Sequence, residues 1–433
     1  MTTRPQRNEP CHCGSGKKYK KCCLNSDIEK DKIEISESEE VNDSPNSLNF
    51  WGDDELDDGF IDKPFYNTDI SDIENEILTS WWSKIDDIED PDAKTEHIKL
   101  LISENPNLVE HSGLEEGEIF DLASAYLKIN KYEDFISFIL YFKDKCPSAY
   151  ALAEDYYNYY IIIWNIFTNK LDEIPQLLND YINTYADKLP DVINLLEATK
   201  NYDILIPFLE ANYKNLIKES DFINESIAEP LFGRIILKYL KPDFTKNDIH
   251  NLVKDINNLD IDYDSVTFNE EYWEDNLNSI FLPYKPWDTK KPNSDKKLND
   301  IYLKISFNYL GFLIYTKKYD KDYSYYLFNK LTDVLFNHLK YSSKKTKSIL
   351  NFTIRTIEKS VINLSQNMIW IEQTKLYNLL LATYYFMEYL ELCGNINTND
   401  RQKIQDEISD LYNSNYQNMV RTNEEALIFK SIP

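Results

Sequence analysis

The chain has 433 residues and carries 74 acidic against 47 basic side chains, a formal charge of −27, on a length that allows two or three packed units. A surface so acidic repels phosphate backbones, which excludes a general nucleic-acid binder in the body of the chain. With only nine glycines it is also poor in the turns that doubly wound α/β and all-β folds need, and this leaves an all-α fold.

The most specific chemistry comes first in the chain. Cys11 and Cys13, then Cys22 and Cys23, form two cysteine pairs separated by eight residues. A short turn can bring such pairs together around one tetrahedral ion at about 2.3 Å, filling all four positions. That is a structural metal site, with zinc as the expected ion, and not a catalytic one. His12 lies between two ligands, but the four sulfurs suffice without it. Gly14 and Gly16 allow the tight reversal, and Lys17, Lys18, Lys20 and Lys21 offset the excess negative charge of the thiolates. Gly14-Ser15-Gly16-Lys17 is not a phosphate-binding loop, because Cys11 occupies its first glycine position, Lys18 stands where Ser or Thr belongs, and no strand precedes it. No apolar leader precedes the cysteines, so a reducing, cytoplasmic location is expected, with metal binding preferred to disulfides.

The run Arg7-Asn8-Glu9-Pro10-Cys11-His12-Cys13-Gly14-Ser15-Gly16-Lys17-Lys18-Tyr19-Lys20-Lys21-Cys22-Cys23 closely resembles the SEC-C motif, named for the tail of the preprotein translocase motor SecA. The resemblance implies a metal, usually zinc with iron as competitor, held by Cys11, Cys13, Cys22 and Cys23. It also implies docking on an acidic chaperone surface, with ribosomes and lipid head groups as further associations of the motor's tail. Here the motif is N-terminal and no motor ATPase follows it. Arg4, Arg7 and the four lysines face only Glu9, so a basic tip sits on an acidic chain and calls for an acidic target.

From Ser26 to Asp58 acidic residues dominate, in runs such as Glu37-Ser38-Glu39-Glu40 and Asp53-Asp54-Glu55. So little apolar surface predicts an extended, disordered linker over 26–75, with Leu48, Phe50, Trp51, Leu56, Phe60, Ile61 and Phe65 as an arm on the helices or, alternatively, a short peptide that folds onto a partner. The adjacent opposite charges also allow the basic tip to dock on this linker or on the acidic body.

Helical periodicity starts beyond it. Ile119, Leu122, Ala123, Tyr126 and Leu127 form one stripe, and Tyr132, Phe135, Ile136, Ile139 and Phe142 a second after a break at 128–131. This antiparallel pair, closing before Pro147, resembles a tetratricopeptide repeat, except that Phe135 stands where that family prefers alanine. A poorer echo is Leu310-Gly311 with Ile314. Between the two the repeat period is lost. The run from Tyr159 to Phe167 falls short of the ~20 residues of a membrane span and reads as a core helix. Asp260, Asp262, Asp264 and Glu271 partly match a calcium loop, with Ser265 where that loop needs glycine. Three prolines at 283, 286 and 292 break the helices between Leu282 and Ser294. Beyond them Leu350, Ile354, Ile357, Val361, Leu364, Met368 and Ile371 make one stripe, and Leu376 to Leu392 is apolar on nearly all sides and should be most buried. Cys146 and Cys393 read as buried apolar residues. The remaining histidines, at 97, 111, 250 and 338, show no paired motif, and Glu96-His97 and Glu110-His111 read as surface neighbours.

The expected molecule is all-α, with irregular tetratricopeptide- or HEAT-like hairpins in two lobes: a zinc knuckle at 1–25, a linker at 26–75, helical lobes at 76–281 and 298–433, and an interlobe loop at 282–297. The expected function is a non-enzymatic adaptor in the cytoplasm. Its metal ligands are Cys11, Cys13, Cys22 and Cys23, and Lys17, Lys18, Lys20 and Lys21 engage an acidic protein or ribosomal partner. Its helical body binds protein or peptide. The alternative is an enzyme whose acidic site is assembled from distant residues of the helices.

Overall fold

Helices are the regular elements of the computed structural model, which describes residues 70–85, 87–114, 117–182, 188–219, 224–259, 269–288, 290, 294–341, 349–350, 352–359, 373–419, 427–429 and 432. The first described helix is α1, Asp72–Ile85. Ser71 starts it: its amide donates to Glu74 Oε2 at 2.8 Å, while its hydroxyl accepts the Glu74 amide at 3.4 Å, a reciprocal cap that satisfies two otherwise orphaned donors. Helix α2, Pro91–Glu104, has Asp90 as N-cap and proline in its first turn, where a missing N–H costs nothing.

The two stripes in the middle of the first half become α3, Glu118–Lys128, and α4, Tyr132–Lys145. Every residue of the stripes is buried, so local periodicity alone located this hairpin. Asn130 closes it with φ +58°, and the Lys131 amide reaches back to the Tyr126 carbonyl at 2.9 Å. Phe135 takes up the space between helices. Its ring lies 5.4 Å from Tyr132 and 5.4 Å from Tyr160, making an aromatic interface where a small residue would let helices close up.

The same closing turn recurs with few glycines. Asn169, Lys200 and Lys318 adopt φ of +60°, +65° and +61°, and Gly394 one of +78°. Asparagine tolerates this conformation and lysine accepts a strain of about 1 kcal/mol, so a glycine-poor chain still turns sharply after its helices.

After a short helix α5, Pro147–Ala151, the apolar run becomes α6, Glu154–Phe167. Then follow α7, Ile174–Tyr181; α8, Leu189–Ala198; α9, Tyr202–Glu219; α10, Asn224–Tyr239; α11, Lys246–Asn257; and α12, Glu270–Ile280. Past the prolines come α13, Asp295–Gly311, continued by a π-helical turn at Phe312–Thr316; α14, Lys321–Tyr341; α15, Gln373–Leu392; and α16, Thr398–Met419.

The described residues between α12 and α13 are non-helical, as prolines there require, and Trp287 anchors them to the helices. Trp287 Nε1 donates to the Tyr389 hydroxyl at 2.7 Å, and the Trp287 backbone exchanges hydrogen bonds with the Asn395 side chain. One hydrophobic cluster runs from Leu78 to Ile432 and includes Leu298, Tyr302 and Tyr309. A second joins Phe232, Leu252 and Trp273 to Phe307, Leu310 and Phe328. The helices before and after the prolines therefore share both cores.

Gly311 shows why. A Cβ there would overlap the Ile280 carbonyl oxygen, so only glycine lets α13 approach the end of α12 this closely. The stripe beginning at Leu350 divides differently from the expectation. Leu350 lies in a turn, because Thr353 and Thr356 exchange caps and start the next helical turn at residue 354. Residues 360–372 lie outside the described residues. In helix α15, Leu379, Leu380, Ala382, Phe386 and Met387 are at most 1% exposed, while Leu392 at its end is 46% exposed.

Candidate functional site

The residues singled out for metal and partner binding, Cys11, Cys13, Cys22 and Cys23 with Lys17, Lys18, Lys20 and Lys21, lie outside the described residues. So do residues 260–268 of the calcium-like stretch, while Glu271 sits in the first turn of α12. Among the described residues no three His, Cys, Asp or Glu side chains are grouped to hold a metal ion. Cys146 and Cys393 are buried free thiols. Burial pushes both thiols up from their ordinary pKa, so they behave as small apolar side chains and not as thiolates.

The four described histidines each contact a neighbouring side chain. His97 stacks on Trp81 with centroids 5.3 Å apart and rings 7° from parallel, while its neighbour Glu96 turns to Lys99 at 2.8 Å. Their adjacency in sequence therefore makes no acid–base pair. His111 lies 3.9 Å from Glu110, and His250 meets Glu270 at 2.9 Å, an exposed tie between α11 and α12. His338 is buried against Phe352, with centroids 4.4 Å apart.

Two features were not legible in the sequence. The first is a group of charges, two of them buried, where α8, α10 and α14 meet. Glu197 on α8 is 4% exposed and Lys330 on α14 is 8% exposed, with Lys330 Nζ 4.0 Å from Glu229 on α10. Burial, then repulsion from Glu229, holds the Glu197 carboxyl well above the usual carboxylate range, and Lys330 offsets part of that. Lys330 also lies over the Tyr326 ring at 5.0 Å, and the Tyr326 hydroxyl donates to Asn194 at 2.7 Å. This group is convergent and acidic, as a catalytic site would be, but Glu197 and Lys330 are closed off from solvent. Its sequence signal was a charged residue, Glu197, within the apolar run from Val192 to Ala198.

The second is a cleft of about 790 Å³ formed by α9, α10, the end of α11 and the start of α14. Lys214, Arg234, Lys238 and Lys321 line it together with Glu210, Tyr213, Leu231, Ile235 and Leu259. The Tyr213 hydroxyl donates to the Leu259 carbonyl at 2.9 Å and closes one wall. The four cations come from three different helices, so no linear motif announces them.

A family model for the SEC-C motif matches residues 7–25. The match takes in all four cysteines and all four lysines identified above, and it is short beside the helical body. No curated protein and no solved structure matches the chain. Among the described residues, no helix is long and apolar enough to cross a membrane.

Proposed function

We propose that this chain is a metal-binding, non-enzymatic adaptor. Its SEC-C segment holds one ion with Cys11, Cys13, Cys22 and Cys23, zinc being the preferred metal and iron the competitor. The bound ion supplies the folding energy that so short a segment cannot draw from an apolar core. Lys17, Lys18, Lys20 and Lys21 then form a basic hook for an acidic surface on a chaperone, ribosomal or translocation partner in the cytoplasm. The helical body acts as the scaffold that binds protein.

The observation that carries this reading is the SEC-C match over residues 7–25, whose donor set is four thiols and whose intervening residues are cationic. Soft thiolate donors suit zinc or iron rather than calcium or magnesium. The rival reading is an enzyme with an acidic site in the helices. Among the described residues the Glu197, Glu229 and Lys330 group is one candidate, and Glu197 has almost no exposure to a substrate.

Affinity purification of the full chain beside a variant with all four cysteines changed to serine tests the adaptor role. A partner set that is lost in the serine variant, and equally lost when the four lysines are reversed to glutamate, is the expected result. Identical partner sets in all three preparations would remove the role of the hook.

A further inference from the structure

The cleft beside α10 inverts the charge of the body around it. In a chain with a formal charge of −27, its lining carries four cations and one acid, Glu210. Two of the cations are engaged at the rim, Arg234 with Asp322 and Lys238 with Asp255 Oδ2 at 2.8 Å. Lys214 and Lys321 are exposed and make no ion pair among the described residues. Leu231, Ile235 and Leu259 add apolar side chains to the same lining. A pocket of this size with apolar side chains and a few placed charges is the usual form of a binding site.

The charges also discriminate between anions. A phosphate group prefers free backbone amides at a helix start or a forked guanidinium. Here Asp320 Oδ1 already accepts the Asp322 and Tyr323 amides that open α14, at 2.9 and 3.2 Å, and Arg234 is held by Asp322. Asn258 and Leu259, at the end of α11, border the same space, and the negative pole of a helix C-terminus opposes one concentrated negative charge. Two lysines on long flexible stems suit separated carboxylates instead.

We propose that this cleft docks an acidic peptide segment of a partner protein, with carboxylates at Lys214 and Lys321 and an apolar side chain over Leu231, Ile235 and Leu259. The inference rests on the reading of the helical body as a protein-binding scaffold, and gives that scaffold a place and a recognition chemistry.

Fluorescence anisotropy of the full chain, titrated into a fluorescein-labelled peptide of about twelve residues alternating glutamate and leucine, tests it. The Lys214→Glu/Lys321→Glu variant should weaken binding at least about tenfold. Both lysines are exposed, so this variant should keep the wild-type circular dichroism. Lys296→Glu/Lys297→Glu, exposed on α13 and away from the cleft lining, should bind as wild type. Equal losses in the two variants would reduce the effect to bulk charge and overturn the site. Full displacement of the peptide by about 1 mM inorganic phosphate would make the cleft a small-anion pocket and overturn the peptide assignment. The four-serine knuckle variant should retain peptide binding, and its loss there would also overturn the site. The Lys214→Glu/Lys321→Glu variant should keep its metal, so failure of the cleft is distinguishable from failure of the SEC-C reading.

Discussion

The hydroxyl of Tyr389 on α15 donates to the side-chain oxygen of Asn308 on α13 at 2.8 Å, with both residues at most 1% exposed. Trp287 donates to the same hydroxyl at 2.7 Å, and Asn308 Nδ2 donates to the carbonyls of Ser279 and Leu282 at 2.8 and 3.0 Å. One polar chain thus links the proline segment, α15, α13 and the end of α12, where Asn308 adds a second donor to the Ser279 carbonyl and supplies one to the Leu282 carbonyl just past the helix. Tyr389→Phe leaves Trp287 Nε1 without its acceptor and Asn308 Oδ1 without its donor. The cost is about 1–3 kcal/mol, read as a lower denaturant midpoint. An unchanged midpoint would show that this chain of bonds contributes nothing to stability.

Gly311→Ala drives a methyl group into the Ile280 carbonyl, and backbone cannot move aside as a flexible side chain would. The expected loss is about 1–3 kcal/mol. Gly117→Ala is the matched control, since a Cβ there meets nothing within 4 Å. Equal melting temperatures for the two variants would refute the close approach of α12 and α13.

His338 sets a pH dependence. Burial against Phe352 lowers its pKa from 6.5 to about 4, because desolvation penalises the charged ring. Between about pH 4 and 6.5 the unfolded chain therefore binds a proton that the folded chain refuses. Stability is full above pH 6.5 and falls as pH drops through that window, by an amount on the order of 2–3 kcal/mol. His338→Phe should flatten this part of a urea-denaturation series against pH. The same acid slope in both proteins would assign it to other groups.

The proposed metal site predicts one equivalent of zinc or iron per chain in elemental analysis of the purified, reduced protein. Cys11→Ser/Cys22→Ser should bring that value to background while the far-ultraviolet circular dichroism of the helices stays unchanged. Metal retained at one equivalent in that variant would move the site elsewhere.

Much of the helical framework was readable residue by residue. The stripes at 119–127 and 132–142 became α3 and α4 because the interval of three and four residues is a property of the helix itself, whatever it packs against. Leu350 failed the same reasoning: its spacing matched the stripe, but the Thr353 and Thr356 caps begin the helical turn after it. The repeat pattern did not announce the π-helical turn at Phe312–Thr316. The small residue at 311 was noticed, though its partner, the Ile280 carbonyl, was not.

By itself the sequence determined what is local. The all-helical class follows from periodicity and scarce glycine, and the SEC-C segment from cysteines placed by covalent spacing. Tertiary structure alone decided which distant charges meet: buried Glu197 and half-buried Glu229 near buried Lys330, and Lys214, Arg234, Lys238 and Lys321 around one cleft. The physical reason is that a helix fixes the direction of its own side chains within a few residues, whereas the neighbour they meet is chosen by how whole helices pack.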